Sequence, residues 1–158
     1  MRIILVILFI NFSFSNKTDF TNNHYKSRSI GFSDKIPLAL YDFTKLIKID
    51  GNSEYYLSFW SMIFGSGVGG GHKKYLGGNN KTFFISSGLY FHMLGTLDDG
   101  IAIRGIHTSP GWRIPYKNKS DTFINLGITI SYYDGILMRG GSEKLFFVFP
   151  FLNYEMRF

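Results

Sequence analysis

Residues 122–133, TFINLGITISYY, place Ile124, Leu126, Ile128, Ile130 and Tyr132 at alternate positions, with Asn125, Gly127, Thr129, Ser131 and Tyr133 between them. Side chains of a strand point to opposite faces in turn, so one face is bulky and apolar while the other is mostly small and polar. A helix would need its apolar residues three and four apart. The stretch is also long for a strand of an ordinary globular sheet.

The same pattern recurs on both sides of it. In residues 82–94, TFFISSGLYFHML, Phe83, Ile85, Leu89, Phe91 and Met93 oppose Thr82, Ser86, Gly88, Tyr90 and His92. In residues 106–114, IHTSPGWRI, Ile106, Trp112 and Ile114 oppose His107, Ser109, Gly111 and Arg113, and Pro110, lacking an amide hydrogen, predicts a bulge. Residues 54–64 have Tyr55, Leu57, Phe59 and Ile63 on one face, although Trp60 and Met62 blur the contrast. Residues 65–76, GSGVGGGHKKYL, read as a strand only through their neighbours. The last strand, FFVFPFLNYEMRF, sets Val148, Pro150, Leu152, Tyr154, Met156 and Phe158 against Asn153, Glu155 and Arg157.

Separators rich in Gly, Asn and Asp divide these strands, as tight hairpins require. They account for six strands after Glu54. SRSIGFS and IPLALYDFTKLI, at residues 27–33 and 36–47, are read as two more, although Asp42 and Thr44 fall on the face of Leu38 and Leu40. A strand and a short helix is the other reading of this stretch. Eight strands return both ends of the chain to one side of the sheet.

Composition fits this organisation. The chain has 158 residues, enough for one domain, with 18% aromatics, 18 Gly and no Cys, which excludes disulfides and thiolate metal sites. At the N-terminus, Arg2 followed by IILVILFI and then Ser13 and Ser15 reads as an export signal cleaved after Ser15. Residues 1–15 are thus a signal peptide and residues 16–158 a single domain. The apolar run is too short to cross a bilayer as a helix. Loss of Arg2 takes the net charge from +6 to +5, which suits anionic headgroups. Lys and Arg do not cluster, so nucleic acid is not an expected partner.

The two faces identify the surroundings. A solvated sheet covers its outer face with long charged residues. Here the polar faces are rich in Gly, Ser, Thr, Asn and Tyr, while most Lys and Asp fall in turns. That suits an all-β, antiparallel, up-and-down transmembrane β-barrel of eight strands, apolar outside and small and polar inside. Closure leaves no backbone amide unpaired in hydrocarbon. Ile124, Leu126, Ile128, Ile130, Leu152 and Tyr154 are expected to face lipid. Tyr132, Tyr154, Trp112 and Phe158 are expected at interfacial aromatic girdles.

The final FLNYEMRF, apolar at Tyr154 and Met156 and ending on Phe158, resembles the C-terminal β-signal of small bacterial outer-membrane β-barrel proteins. The resemblance implies an outer-membrane location and recognition of Tyr154, Met156 and Phe158 by the assembly machinery. It also implies that the turns at residues 49–53, 76–80 and 115–120 face the periplasm, and those at 95–100 and 134–144 the outside.

Chemistry is weakly signalled. His92 and His107 project to the polar face, and with Ser86, Ser109 and Glu155 they supply the residue types of a Ser/His/acid set. Lipid A acyltransferases and deacylases exist on such barrels, but no motif here matches them, so both His are assigned to interior hydrogen bonding. No catalytic, cofactor-binding or metal residue is assigned. GSGVGGG lacks the Lys-Ser/Thr ending of a phosphate loop and is assigned to backbone room beside a bulky neighbour. Asn80 and Asn118 begin sequons relevant only to a eukaryotic secretory route. Arg113, Glu155 and Arg157 share the inward face, and a charge in a narrow lumen needs a partner, so Glu155 is expected to pair with an Arg across strands. The expected protein is a monomeric outer-membrane barrel, partnered by membrane lipids and without catalysis or cofactor. The alternative is a soluble periplasmic or secreted barrel binding an apolar ligand inside.

Overall fold

The computed structural model describes residues 25–62, 65–76, 82–95, 100–117, 121–137 and 142–158; the proposed signal segment lies outside them. Eight antiparallel strands follow one another round a closed barrel: β1 (Lys26–Gly31), β2 (Tyr41–Asp50), β3 (Ser53–Met62), β4 (Gly65–Tyr75), β5 (Phe83–Gly95), β6 (Gly100–Pro115), β7 (Thr122–Leu137) and β8 (Ser142–Arg157). Each pairs with its sequence neighbours, and β8 closes on β1. Successive strands therefore run in opposite directions, as the count of eight required.

The register makes the rim uneven. Arg28 pairs directly with Met156. Stepping the other way round, Arg28 leads through Phe43, Phe59, Val68, Phe91, Arg104 and Asp134 to Lys144, twelve residues further up β8. A stagger of this size tilts the strands steeply and widens the bore. The strands lengthen round the wall, from 6 residues in β1 to 16 in β6, β7 and β8.

The wide bore admits part of the chain itself. Gly31 has φ +105° and lies against the β8 backbone at Leu152, where a side chain would collide with the Leu152 carbonyl oxygen. From there residues 32–40 bend inward. Ser33, Asp34, Lys35, Ile36 and Ala39 are buried, while Phe32, Leu38 and Leu40 remain exposed. Ser33 N–H donates to the Ala39 carbonyl, and Gly31 N–H to that of Leu40, both closing the loop on itself. Residues 36–40 are accordingly not the start of β2. This explains why Leu38 and Leu40 share a parity with Asp42 and Thr44 but not a face: Asp42 and Thr44 are fully inside.

The inner face is bulkier than its composition suggested. Small and polar side chains are present, but Tyr56, Trp60, Tyr75, Phe84, Tyr90 and Phe151 also point inward and are buried. Inward glycines make room for them. A Cβ on Gly67 would strike the Trp60 and His92 rings, one on Gly105 the Tyr90 ring, and one on Gly111 the Phe151 ring. The glycine run of β4 also faces the inward loop, for Gly69 lies against Ile36. Pro110 produces no bulge. Its ladder to β7 is interrupted at Ser109 and Pro110 and resumes in the same register at Gly111. The irregularity falls instead between Leu46 and Lys48 of β2.

Gly67→Ala should therefore displace the Trp60–His92 contact and cost about 1–3 kcal/mol of stability, the usual penalty of overpacking. Gly70→Ala, whose Cβ would meet mainly the mobile end of Leu57, should cost far less. Denaturant midpoints of the two variants would check this, and equal losses would contradict the packing account.

Candidate functional site: a charged network in the lumen

The lower interior is a continuous polar network supplied by seven strands, β1 through Ser27 and Ser29 beside Lys35, and by the inward loop. At its floor the Arg157 guanidinium grips Glu54 with two nitrogens, Nη1 at 3.2 Å from Oε1 and Nη2 at 3.0 Å from Oε2. Its Nε reaches Glu155 Oε1 at 3.1 Å. Tyr25 and Tyr75 both donate their hydroxyls to Glu54 Oε2, at 2.6 and 2.8 Å. The guanidinium lies 4.0 Å from the Tyr25 ring centre. A planar fork on a carboxylate, with donors filling the remaining lone pairs, is the arrangement a buried charge requires.

Glu155 is the centre of the next layer up. Its Oε2 lies 3.4 Å from Lys35 Nζ, 3.8 Å from Lys73 Nζ and 3.4 Å from Arg113 Nη2, and it accepts from Asn125 Nδ2 at 2.9 Å. With Arg157 it is surrounded by four cations. Lys73 also lies 2.5 Å from Asp34, which accepts from Asn153 Nδ2 at 3.0 Å. Asp42 accepts from Thr44, and Thr44 meets Ser58 at 2.7 Å. The buried cations Lys35, Lys73, Arg113 and Arg157 thus stand among the carboxylates Asp34, Asp42, Glu54 and Glu155, so the interior carries no large net charge.

Above this layer the contacts become aromatic. Trp60 Nε1 donates to His92 Nδ1 at 2.7 Å, and the Tyr90 and Ser131 hydroxyls meet at 2.7 Å. The His107 ring centre lies 6.1 Å from that of Tyr90, with the rings tilted by 51°. Ile36 and Ala39 of the inward loop pack against Trp60, Tyr90 and Ile103.

The expected residues fall as follows. Arg113, Glu155, Arg157, His92 and His107 all point into the lumen, and Glu155 meets both Arg113 and Arg157. The two His border the aromatic layer, His92 beside Trp60 and Tyr90 and His107 between Tyr90 and Asp34 of the inward loop. Ser109 bonds Thr129 at 2.9 Å and Ser86 bonds Tyr56 at 2.8 Å, so both serine hydroxyls are engaged with neighbours other than His. Ile124, Leu126, Ile128, Ile130, Leu152 and Tyr154 lie on the outer face; Ile128 and Leu152 are at least half exposed. Met156 is exposed on the same face, and Phe158 closes the barrel through backbone hydrogen bonds with Lys26. Trp112 meets Phe83 at 5.2 Å and Tyr154 meets Tyr116 at 5.3 Å, forming aromatic pairs near the end that carries Phe158. Asp34, Lys35, Glu54 and Lys73 were not anticipated. Glu54 and Lys73 share their strands' inward parity and were legible from it; Asp34 and Lys35 sit on a loop whose inward turn has no period.

Glu155→Gln would leave four buried cations short of their shared anion, so it should destabilise the barrel by about 3–5 kcal/mol. Asp134→Asn breaks the Arg104–Asp134 pair on the outside, where Arg104 is 65% exposed, and should cost about 1 kcal/mol or less. Unfolding free energies under the same conditions would compare the two, and equal costs would contradict the buried hub. No protein-family model, curated protein or solved structure matches this chain.

Proposed function

We propose that this chain is an integral outer-membrane β-barrel protein with a structural or surface-interaction role and no catalysis. The observation that carries the reading is the outer belt. Ile30, Leu57, Val68, Leu89, Ile106, Ile128 and Leu152 lie on seven of the eight strands, and each is at least half exposed. A soluble monomer rarely exposes a contiguous apolar area beyond a few hundred Å², whereas a belt running round a closed sheet suits acyl chains. The interior supports it from the other side, because its charges are paired among themselves and its bore is filled by side chains and the inward loop. That filling disfavours an open ion path and the soluble, ligand-holding alternative alike.

On this reading the end carrying Phe158 faces the periplasm. The assembly machinery reads the last strand through Tyr154, Met156 and Phe158, and lipids are the principal partners of the mature, monomeric protein. Anchoring, envelope integrity or contact through the taller rim are roles that such a filled barrel serves without chemistry.

Ile128→Arg separates the membrane and soluble readings. In a bilayer it should cost about 2–4 kcal/mol and lower the amount of assembled barrel. In a soluble protein a half-exposed Ile→Arg change is worth about 0.5 kcal/mol or less. Fractionation with gel mobility before and after boiling gives the readout: the wild type should sediment with outer membranes and shift on heating. A chain recovered monomeric from plain buffer would overturn the proposal. Removal of Phe158 should reduce assembly without altering export.

A further inference from the structure

Among the described residues the wall of the closed barrel is lowest at β1. Among the same residues, β1 pairs with β8 only from residues 27–31 to residues 153–157, so residues 142–152 of β8 have β7 alone as a described strand neighbour. Six residues are fewer than the nine to eleven that a tilted strand needs to cross hydrocarbon. The gap above β1 therefore opens at the depth of the acyl chains. It rests on the outer-membrane reading above.

Three features identify what fills it. The first is the loss of alternation. Residues 145–152, LFFVFPFL, are apolar on both faces, the pattern of a strand with apolar material on each side. Outward, Phe146, Val148 and Leu152 are exposed by more than half; inward, Leu145 is 50% exposed and Phe147 and Phe149 are half-buried. Tyr133 meets Phe147, and Phe32 meets Phe149, at the sides of this trough. The second is the lining, where the Phe147 and Phe149 rings stack with centres 5.3 Å apart beside Ser131 and Thr129 of β7.

The third is the backbone edge. Phe158 exchanges both backbone hydrogen bonds with Lys26, while Arg157 N–H turns to Asp121, so even-numbered residues of β8 face the gap. Pro150 is one of them and offers no N–H there, a device that discourages an added strand. A second copy is no better an occupant. Two barrels inserted the same way up present β8 strands of the same sense, which cannot pair antiparallel.

We propose that this notch between β8 and β1 holds an acyl chain of a membrane lipid, admitted sideways from the bilayer and lying along Phe147 and Phe149. The trough is continuous with the outer apolar surface at Val148, so the chain need not cross a polar rim to reach it.

The chain contains no Cys, so single variants can be spin-labelled cleanly. Phe147→Cys, Phe149→Cys and the outward control Val148→Cys would carry a nitroxide in phosphatidylethanolamine–phosphatidylglycerol vesicles. Folding would be checked by heat-shifted mobility, with Leu145→Cys replacing either inward variant that does not fold. Collisions with oxygen, which concentrates in hydrocarbon, and with a water-soluble nickel chelate would then be compared. Labels at 147 and 149 should match the Val148 label in oxygen collisions and show the same loss of nickel collisions relative to a label in water. Nickel access at 147 and 149 with a lipid-like Val148 would mean a water-filled mouth, and access by neither reagent a packed protein layer; each overturns the notch alone. Nickel access at Val148 would overturn the membrane reading and the notch with it.

Discussion

Closure of the sheet with a stagger of twelve residues is the constraint from which the other features follow. A closed sheet of eight strands has few free parameters, because tilt, bore and stagger fix one another. With this stagger, the bore exceeds what strand side chains alone fill, and the surplus is taken up by residues 32–40. The turn that sends them inward depends on Gly31, whose positive φ and tight approach to Leu152 leave no place for a side chain. A bulkier residue there would hold β1 in the wall, and the loop would lose its route to the interior.

What the loop brings inside determines the chemistry of the lumen. Asp34 and Lys35 enter beside Lys73 and Glu155, while Ile36 and Ala39 reach the aromatic layer above. One short segment is thus polar where the wall is charged and apolar where the wall is aromatic. The division is hard to satisfy in any other register. Shifting the loop by one residue would bring Lys35 to the place of Ile36 against Trp60 and Tyr90, or set Ile36 in the place of Lys35 beside Glu155. Buried ion pairs contribute little net stability once desolvation is counted, but an unpaired buried charge is very costly. The network accordingly acts through what it excludes: alternative placements of the loop strand a charge. Glu155 matters most because it lies within ion-pair distance of cations from four parts of the chain, namely the loop, β4, β6 and its own strand.

Much of this was legible in the sequence, and the limits have physical causes. A period of two is a property of each strand by itself, so Ile124 to Tyr132 and Leu152 to Phe158 could be assigned to faces without knowing their neighbours. The inward positions of Arg113, Glu155 and Arg157 follow from the same parity. The inner aromatics did not, because parity gives direction and not the room available: Trp60 fits only because Gly67 stands across from it on β4, and Phe151 because Gly127 stands across from it on β7 with Gly111 beyond on β6. Pro110 misled for a related reason. A missing N–H interrupts a ladder, yet the strand keeps its register where the next pairs hold it, as Gly111 and Gly127 do. Residues 36–40 carry β-like composition but leave the wall, since a long-range stagger set by all eight strands decides where β1 ends.

The upper part of β8 shows the same stagger acting on the outside. A barrel of level rim would give every strand two partners and an alternating face. Here the wall rises steadily from β1 to β8, and the step falls where the last strand meets the first, so among the described residues β8 alone has a long stretch with one neighbour. Its sequence changes character over that stretch. Below Leu152 the inward positions are Asn153, Glu155 and Arg157, facing the charged network; above it they are Phe151, Phe149 and Phe147. The switch occurs where β1 ends and the loop turns in, at the Gly31–Asn153 pair. Pro150 lies just beyond it, at a position whose backbone would otherwise offer an amide to any passing strand. A single strand therefore carries three consecutive specifications: a charged floor, a proline-guarded edge and a two-sided apolar top. Each matches the height at which closure leaves β8 paired, unpaired or above its neighbour.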